Sequence, residues 1–311
     1  MTALDDAAKL LGDRAQTNVN IGRLTTYRVG GAAALYMEAT TEDDLAAAAK
    51  AVSETGIPVL VIGRGSNLLV ADAGFPGLAV LMGDGFTAID IDGTSVRAGA
   101  AVQLPVLARR TAALGLTGLE WAVGVPGSVG GAVRMNAGGH GADTAATLRR
   151  FRFVDLSGAE PDGEFPAARL EFAYRHSTVA PHHVVVWGEF ELAPGDPAAS
   201  QATITEIVRW RRDHQPGGQN AGSVFTNPPD DSAGRLIEAA GLKGLRVGSA
   251  GVSTKHANFI QADEGGSADD VRALMTEVRT RVAAHSGIYL ASEVRLIGFA
   301  DEPSTSGEGS R

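Results

Sequence analysis

Three glycine-rich stretches carry the residue types best able to hold a phosphorylated ligand and act on it. Gly63-Arg64-Gly65-Ser66-Asn67 directly follows the apolar run Val59–Ile62. It has the look of a truncated dinucleotide fingerprint, but Leu68 stands where a third glycine should open a helix under the pyrophosphate. A backbone nest, with successive N–H groups converging on a phosphate, needs no such helix. A plain strand-to-strand turn with glycine at positive φ accounts for the same residues. The second stretch, Val123–Gly141, has glycine at seven of nineteen positions, so backbone can approach a flat or phosphorylated ligand without an intervening Cβ. His140, after two of these glycines, reads as an ordinary loop histidine. The third, Asn220–Pro228 (NAGSVFTNP), is followed by Ala240–Gly244 (AGLKG) and Lys255–Phe259 (KHANF). The His182-His183 pair has no HExxH context and no carboxylate at ligand spacing, so no metal site is expected.

Local signals mark the elements around these stretches. A helix is expected at Glu42–Glu54 after capping threonines, stopped by Gly56-Ile57-Pro58. Short strands are expected at Pro58–Ile62, Leu78–Met82, Thr87–Ile91, Val96–Ala98, Arg150–Asp155 and Val184–Leu192, and a helix at Gln103–Leu114. Ala193–Ser200 (APGDPAAS) reads as a linker. Beyond it come helices at Gln201–Asp213 and Ala268–His285, the latter with Val271, Leu274, Met275, Val278 and Val282 on one face. Ile288–Gly298 reads as a closing strand. The pattern is α+β, without a sustained βαβ repeat.

Composition narrows the class. The 311 residues include 40 glycines, well above the usual share of about 7%, yet 44% of the chain is hydrophobic and the formal charge is −9. The glycines lack a three-residue period, which excludes collagen. No cysteine is present, which excludes disulfides, thiolate nucleophiles and cysteine-linked cofactors and suits a cytoplasmic setting. The acidic balance argues against general nucleic-acid binding. No apolar run is long enough for a membrane span, and the N-terminus lacks the charge pattern of a signal peptide.

With the third stretch in view, the chain resembles the UDP-N-acetylenolpyruvoylglucosamine reductase family. The resemblance runs through TTYRVGG at 25–31, GRGSNLL at 63–69, GVPGSVGGAVRMNAG at 124–138, YRHS at 174–177, AGSVFTNP at 221–228, AGLKG at 240–244, KHANF at 255–259 and SEVRLIG at 292–298. It implies a two-lobed FAD-binding domain of the vanillyl-alcohol-oxidase (PCMH) type and a C-terminal α+β substrate-binding domain. The corresponding bounds are 1–81 and 82–198 for the lobes, with a strand near 293–298 returning to the first, 199–298 for the C-terminal domain, and 299–311 for a tail without structure. It further implies a monomer in which NADPH reduces non-covalently bound FAD and leaves before UDP-N-acetylglucosamine enolpyruvate enters.

The same resemblance carries residue roles. Gly63, Arg64, Gly65, Ser66, Asn67 and Leu68 would cradle the FAD pyrophosphate, and Gly124, Pro126, Gly127, Ser128, Gly130 and Gly131 would line the flavin. Hydride addition to the enolpyruvyl alkene leaves negative charge beside a carboxylate, so the chemistry needs a fixed cation and a proton source. Arg175 matches the carboxylate-stabilising arginine, Ser223 the proton donor and Glu293 the catalytic glutamate. Tyr174, Asn227, Lys243 and His214 match substrate-side positions, with Lys255 and the Arg209–Arg212 cluster as further cations for a diphosphate. The chain departs from the family pattern at His214 and Thr226, where relatives carry lysine. The segment after Arg175 suits the subgroup without an inserted tyrosine loop. A flavin oxidase and a non-catalytic nucleotide-sugar binder are the competing readings.

Overall fold

The computed structural model describes residues 2–300. Helix α1 (Ala3–Leu11) opens on a capping box between Thr2 and Asp5. Helix α2 (Glu42–Thr55), where a helix was expected, opens on a second box between Thr41 and Asp44 and stops at Gly56 with φ 66°, a conformation glycine adopts without steric cost. Both helices pack on a four-stranded sheet whose order is β1 (Gln16–Asn20), β2 (Ala32–Ala39), β5 (Phe75–Met82), β3 (Val59–Ile62). Strand β5 runs parallel to both its neighbours. The short strand β4 (Leu68–Val70) follows the first glycine loop, so no helix opens there.

A five-stranded antiparallel sheet forms the second lobe, in the order β9 (Gly163–Pro166), β8 (Leu148–Asp155), β10 (His183–Glu191), β7 (Ser95–Gly99), β6 (Ile89–Asp92). Val184, Val185 and Val186 are all buried because β10 is covered on both faces. Val184 and Val186 join the core under α1 and α2, while Val185 belongs to a second core together with residues of α3 (Leu104–Ala113) and α5 (Pro197–His214). Such a doubly covered strand reads as a continuous apolar run rather than an alternation. The expected linker at 193–200 is instead structured. Asp196 caps α5 by accepting from the Ala198 N–H at 3.0 Å, and Pro197 occupies the first turn. Asp-Pro is a helix-start signal as much as a loop signal, and Ser200 is buried, donating to Glu120 at 2.6 Å.

The C-terminal part packs α6 (Ala233–Ala239) and α7 (Ala268–Ser286) on a small sheet of β11 (Arg246–Val247), β12 (Ala250–Val252) and β13 (Ile260–Ala262). The five apolar positions expected on one face of α7 are all at most 1% exposed. Tyr27, Val29 and Leu69 from the N-terminal part enter the same core. The expected strand Ile288–Gly298 shrinks to β14 (Arg295–Ile297), which runs parallel to β4. Its partner is only three residues long, so the preceding residues have no ladder to join. Of the tail, Phe299 packs on the C-terminal core and 301–311 lie outside the described residues. No helix among the described residues is long and apolar enough to cross a membrane.

Asp72, from the first lobe, reaches the start of α7: its carboxylate accepts from Ser267 Oγ at 2.5 Å and from the N–H groups of Ala268 and Asp269 at 3.0 and 3.2 Å. First-turn amides have no partner within the helix. Asp72→Ala is therefore expected to destabilise the protein by about 1 kcal/mol, the usual worth of a capping side chain. The check is the midpoint of urea unfolding; an unchanged midpoint would mean the cap is replaced by water at no cost.

Candidate active site

The three glycine-rich stretches meet around one cavity of about 850 Å³. Gly63 to Leu68 form one wall, and Gly124 to Ser128 with Gly131 another. Arg175, Ser223 and Glu293, far apart in the chain, face the same space. Gly130 lies behind the wall, where an added Cβ would sit 3.0 Å from that of Ala100.

The first loop has the properties of a nest. The N–H groups of residues 64–67 donate to no other described residue. Gly65 has φ 59°, and a Cβ there would stand 2.5 Å from the Leu24 carbonyl oxygen. A Cβ on Gly63 would stand 2.5 Å from Ser128 Oγ, a buried hydroxyl without a hydrogen-bond partner. Free amides on a glycine loop and an orphaned buried hydroxyl suit an anionic group such as a diphosphate.

Asparagines fix the rest of the site. Asn67 Nδ2 donates to the Glu293 carbonyl at 3.0 Å, while the Arg295 N–H donates to the Asn67 carbonyl at 3.0 Å. The Asn67 side chain thus clamps the segment carrying Glu293. Asn258 bonds both backbone groups of Phe225, at 3.0 and 2.8 Å, and the Glu293 N–H donates to the Val224 carbonyl at 2.8 Å, tying the Ser223 segment to that of Glu293. Ser223 Oγ has no hydrogen-bond partner among the described residues, so the serine is not spent on a cap or turn. Asn136, left-handed at the end of α4 (Val129–Met135), donates to the Ala173 carbonyl at 3.0 Å and holds the turn before Arg175. Of these three only Asn67 was singled out from the sequence, and as a cofactor contact; the clamping roles depend on contacts across 33 to 226 residues of chain.

Arg175 itself has φ 56°, rare for a residue with a side chain and typical of functional positions. Its Nε donates to Glu293 Oε1 at 2.8 Å and its Nη2 to the Gly138 carbonyl at 2.9 Å. The pair is largely enclosed, with side chains 22% and 15% exposed. Burial raises the Glu293 pKa above the usual carboxylate value although Arg175 opposes the shift. Among the described residues Glu293 is the single carboxylate in the wall, against the arginines at 64, 134, 175, 211 and 295. Such a cavity attracts anions.

Of the substrate-side residues read from the sequence, Arg211 of the Arg209–Arg212 cluster lies in this wall, while Tyr174, Asn227, Lys243, His214 and Lys255 stand outside it. Tyr174 is exposed, with its ring centroid 5.1 Å from the Arg175 guanidinium carbon. Asn227 accepts from the Ala233 N–H at 3.0 Å, next to the start of α6. Lys243 pairs with Glu238 at 2.7 Å, and Lys255 bonds the Arg212 carbonyl. His214 stacks on Trp210 with ring centroids 4.7 Å apart. His140 is more than a loop histidine: the turn after Gly139 brings it to the cavity wall, edge-on to Trp210 at 5.3 Å. Burial, with Arg211 nearby, lowers its pKa.

The fold does bring a carboxylate to the histidine pair: ligand atoms of Asp155, His182 and His183 lie within 4.8 Å of one another. Asp155 is nonetheless engaged by Ser157 and the Glu160 N–H. His183 Nδ1 accepts from the Ala180 N–H at 3.2 Å, and its Nε2 lies 3.4 Å from Glu160 Oε1.

Comparison with known proteins converges on one family. Residues 33–160 match an FAD binding domain, and residues 214–297 match the C-terminal domain of UDP-N-acetylenolpyruvoylglucosamine reductase. The UDP-N-acetylenolpyruvoylglucosamine reductase of Synechococcus sp. (strain WH7803) is 44% identical over 307 residues, 96% of each chain. That of Heliobacterium modesticaldum is 44% identical over 281 residues, 89% of each chain. The crystal structure of the Thermus caldophilus enzyme superposes with a TM-score of 0.79 at 34% identity, covering 91% of this chain and 99% of that one. The two-lobed FAD-binding fold with a C-terminal substrate domain is the one the sequence motifs imply. A nest without a following helix, an orphaned Ser128 hydroxyl and a cationic cavity fit FAD, and with these relatives they make the chain an FAD-dependent oxidoreductase of the UDP-N-acetylenolpyruvoylglucosamine reductase family.

Proposed function

We propose that this protein uses NADPH to reduce UDP-N-acetylglucosamine enolpyruvate to UDP-N-acetylmuramate, a step of peptidoglycan precursor synthesis. The observation that carries the reading is the convergence of an unpartnered Ser223 hydroxyl and the Arg175–Glu293 pair on the cavity that the glycine loop opens into. Gly63 to Leu68 and Ser128 would hold the FAD diphosphate. When bound, FAD supplies a two-electron carrier that takes hydride from NADPH and passes it to the alkene.

Arg175 would bind the carboxylate of the enolpyruvyl group and draw off the charge that hydride addition leaves on the adjacent carbon, where an enclosed cation is worth more than in water. Ser223 would give its proton to that carbon. A serine hydroxyl is a weak acid, and it serves because the carbanion is strongly basic. Glu293 would hold Arg175 at its left-handed turn and orient the carboxylate. The UDP portion would cross the cavity mouth beside Tyr174, Trp210 and Arg211.

Anaerobic NADPH is expected to bleach the yellow holoenzyme, and the enolpyruvyl substrate to restore the colour without oxygen. Colour returning with oxygen alone would replace this reading by an oxidase. Gly65→Ala tests the loop: positive φ and the Leu24 carbonyl at 2.5 Å leave no room for a methyl. It is expected to cost about 1–3 kcal/mol and to release FAD during purification, read as the ratio of flavin to protein absorbance.

A further inference from the structure

Arg134 and Arg295 both line the cavity, and neither guanidinium makes a hydrogen bond or ion pair with any described residue. Arg175 spends its charge on Glu293, the only carboxylate in the wall among the described residues. Arg134 is half-buried and Arg295 exposed; a half-buried cation without a counter-ion is costly, and the pair is suited to an anionic ligand. Burial, with the like charge of Arg295 nearby, pulls the Arg134 pKa down to about 10, the mark of a cation lacking compensation.

Position narrows the identity of that anion. Arg134 sits on α4, between Ser128, which adjoins Gly63, and Gly138, whose carbonyl receives Arg175. Arg295 is tied through its N–H to Asn67 and stands two residues beyond Glu293. Both are thus tied through short stretches of chain to the phosphate-loop wall and to the Arg175–Glu293 pair, the two ends that a cofactor anchored at the loop must span to meet the reacting carbon.

We propose that Arg134 and Arg295 compensate the negative charge that bound FAD acquires on reduction, and so set its potential. On reduction by NADPH the C–H bond of the dihydronicotinamide would break, its hydride would form an N–H bond on the flavin, and NADPH would become NADP⁺ while FAD becomes FADH⁻. The charge on FADH⁻ lies on the ring, where fixed cations tune electronics. The proposal rests on FAD being the cofactor and is independent of which substrate is reduced.

The test is the midpoint potential of the FAD holoenzyme, by equilibration with a reference dye, together with the affinity of the apoprotein for oxidised FAD. Arg134→Met is expected to weaken binding of reduced FAD relative to oxidised FAD at least tenfold, a fall of about 30 mV for a two-electron couple. Affinity for oxidised FAD should stay within about threefold, since the pair acts on charge that only reduction creates. Arg295→Met should shift the potential in the same direction, and Arg134→Lys should recover part of it. An unchanged potential in both methionine variants overturns the proposal. Equal weakening of oxidised and reduced FAD, or loss of FAD from both variants, overturns it too, because the pair would then be holding the phosphates. A raised KM for the enolpyruvyl substrate at unchanged potential would assign the pair to the substrate instead. Failure of the wild-type protein to reduce that substrate, with the potential shift intact, would sink only the function proposed above.

Discussion

Replacing Ser223 with alanine is expected to leave NADPH-driven bleaching of the bound FAD at its original rate and to slow reoxidation by the enolpyruvyl substrate by about 10²–10⁴-fold, the range a positioned general acid contributes. The structure makes this a clean substitution. Ser223 Oγ has no hydrogen-bond partner among the described residues, so alanine removes no structural contact there. The segment is held by its neighbours: the Gly222 N–H donates to Asn220 Oδ1 at 3.0 Å, and Asn258 grips Phe225 on both sides. Stopped-flow absorbance under anaerobic conditions separates the two half-reactions. Equal slowing of both would show that the hydroxyl positions the cofactor and transfers no proton.

Arg175→Met is expected to have the second largest effect. The guanidinium is the cation nearest Glu293, and its removal leaves a buried carboxylate with no partner. Loss of a preorganised cation at developing charge costs about 10²–10³-fold in the chemical step, and here it should fall on the substrate half-reaction. The pH profile carries the sign. Burial already raises the Glu293 pKa and Arg175 partly offsets that rise, so deleting Arg175 must move the pKa further up. Any limb of the rate–pH profile governed by Glu293 should thus shift to higher pH. A downward shift, or a profile unchanged while the rate falls, would mean Glu293 is not the titrating group. Arg175→Lys should restore less than half of the logarithmic loss, because an ammonium cannot reach Glu293 and the Gly138 carbonyl together with the same planar fork.

How far the site was legible varied with the range of the interactions involved. The helix at Glu42–Thr55 declared itself through Thr41, Asp44 and Gly56, all within one turn of its ends. The face of α7 was legible through its 3.6-residue period. Local signals misled where one dipeptide serves two purposes: Asp196-Pro197 looked like linker and is a helix start. The first helix was written in the Thr2–Asp5 box, a local signal between residues three apart in the chain. Helix α4 was hidden because Gly130 and Gly131, poor helix formers, sit in its first turn. The smallness of Gly130 serves close packing against Ala100, a tertiary demand.

The sequence by itself determined the motifs, the absence of any thiol chemistry, and the residue types for holding a diphosphate and moving a proton. Those are properties of side chains and of short spacings. Only the tertiary structure decided which of them share a cavity. It brought Arg175 and Glu293 within 2.8 Å across 118 residues, and it put Tyr174, Asn227, Lys243 and His214 outside the wall. It also revealed Arg134, an unremarked letter in a glycine-rich motif, as a cation without a counter-ion. The reason is physical: burial and charge compensation are sums over everything that surrounds a group, and most of what surrounds these groups comes from remote parts of the chain.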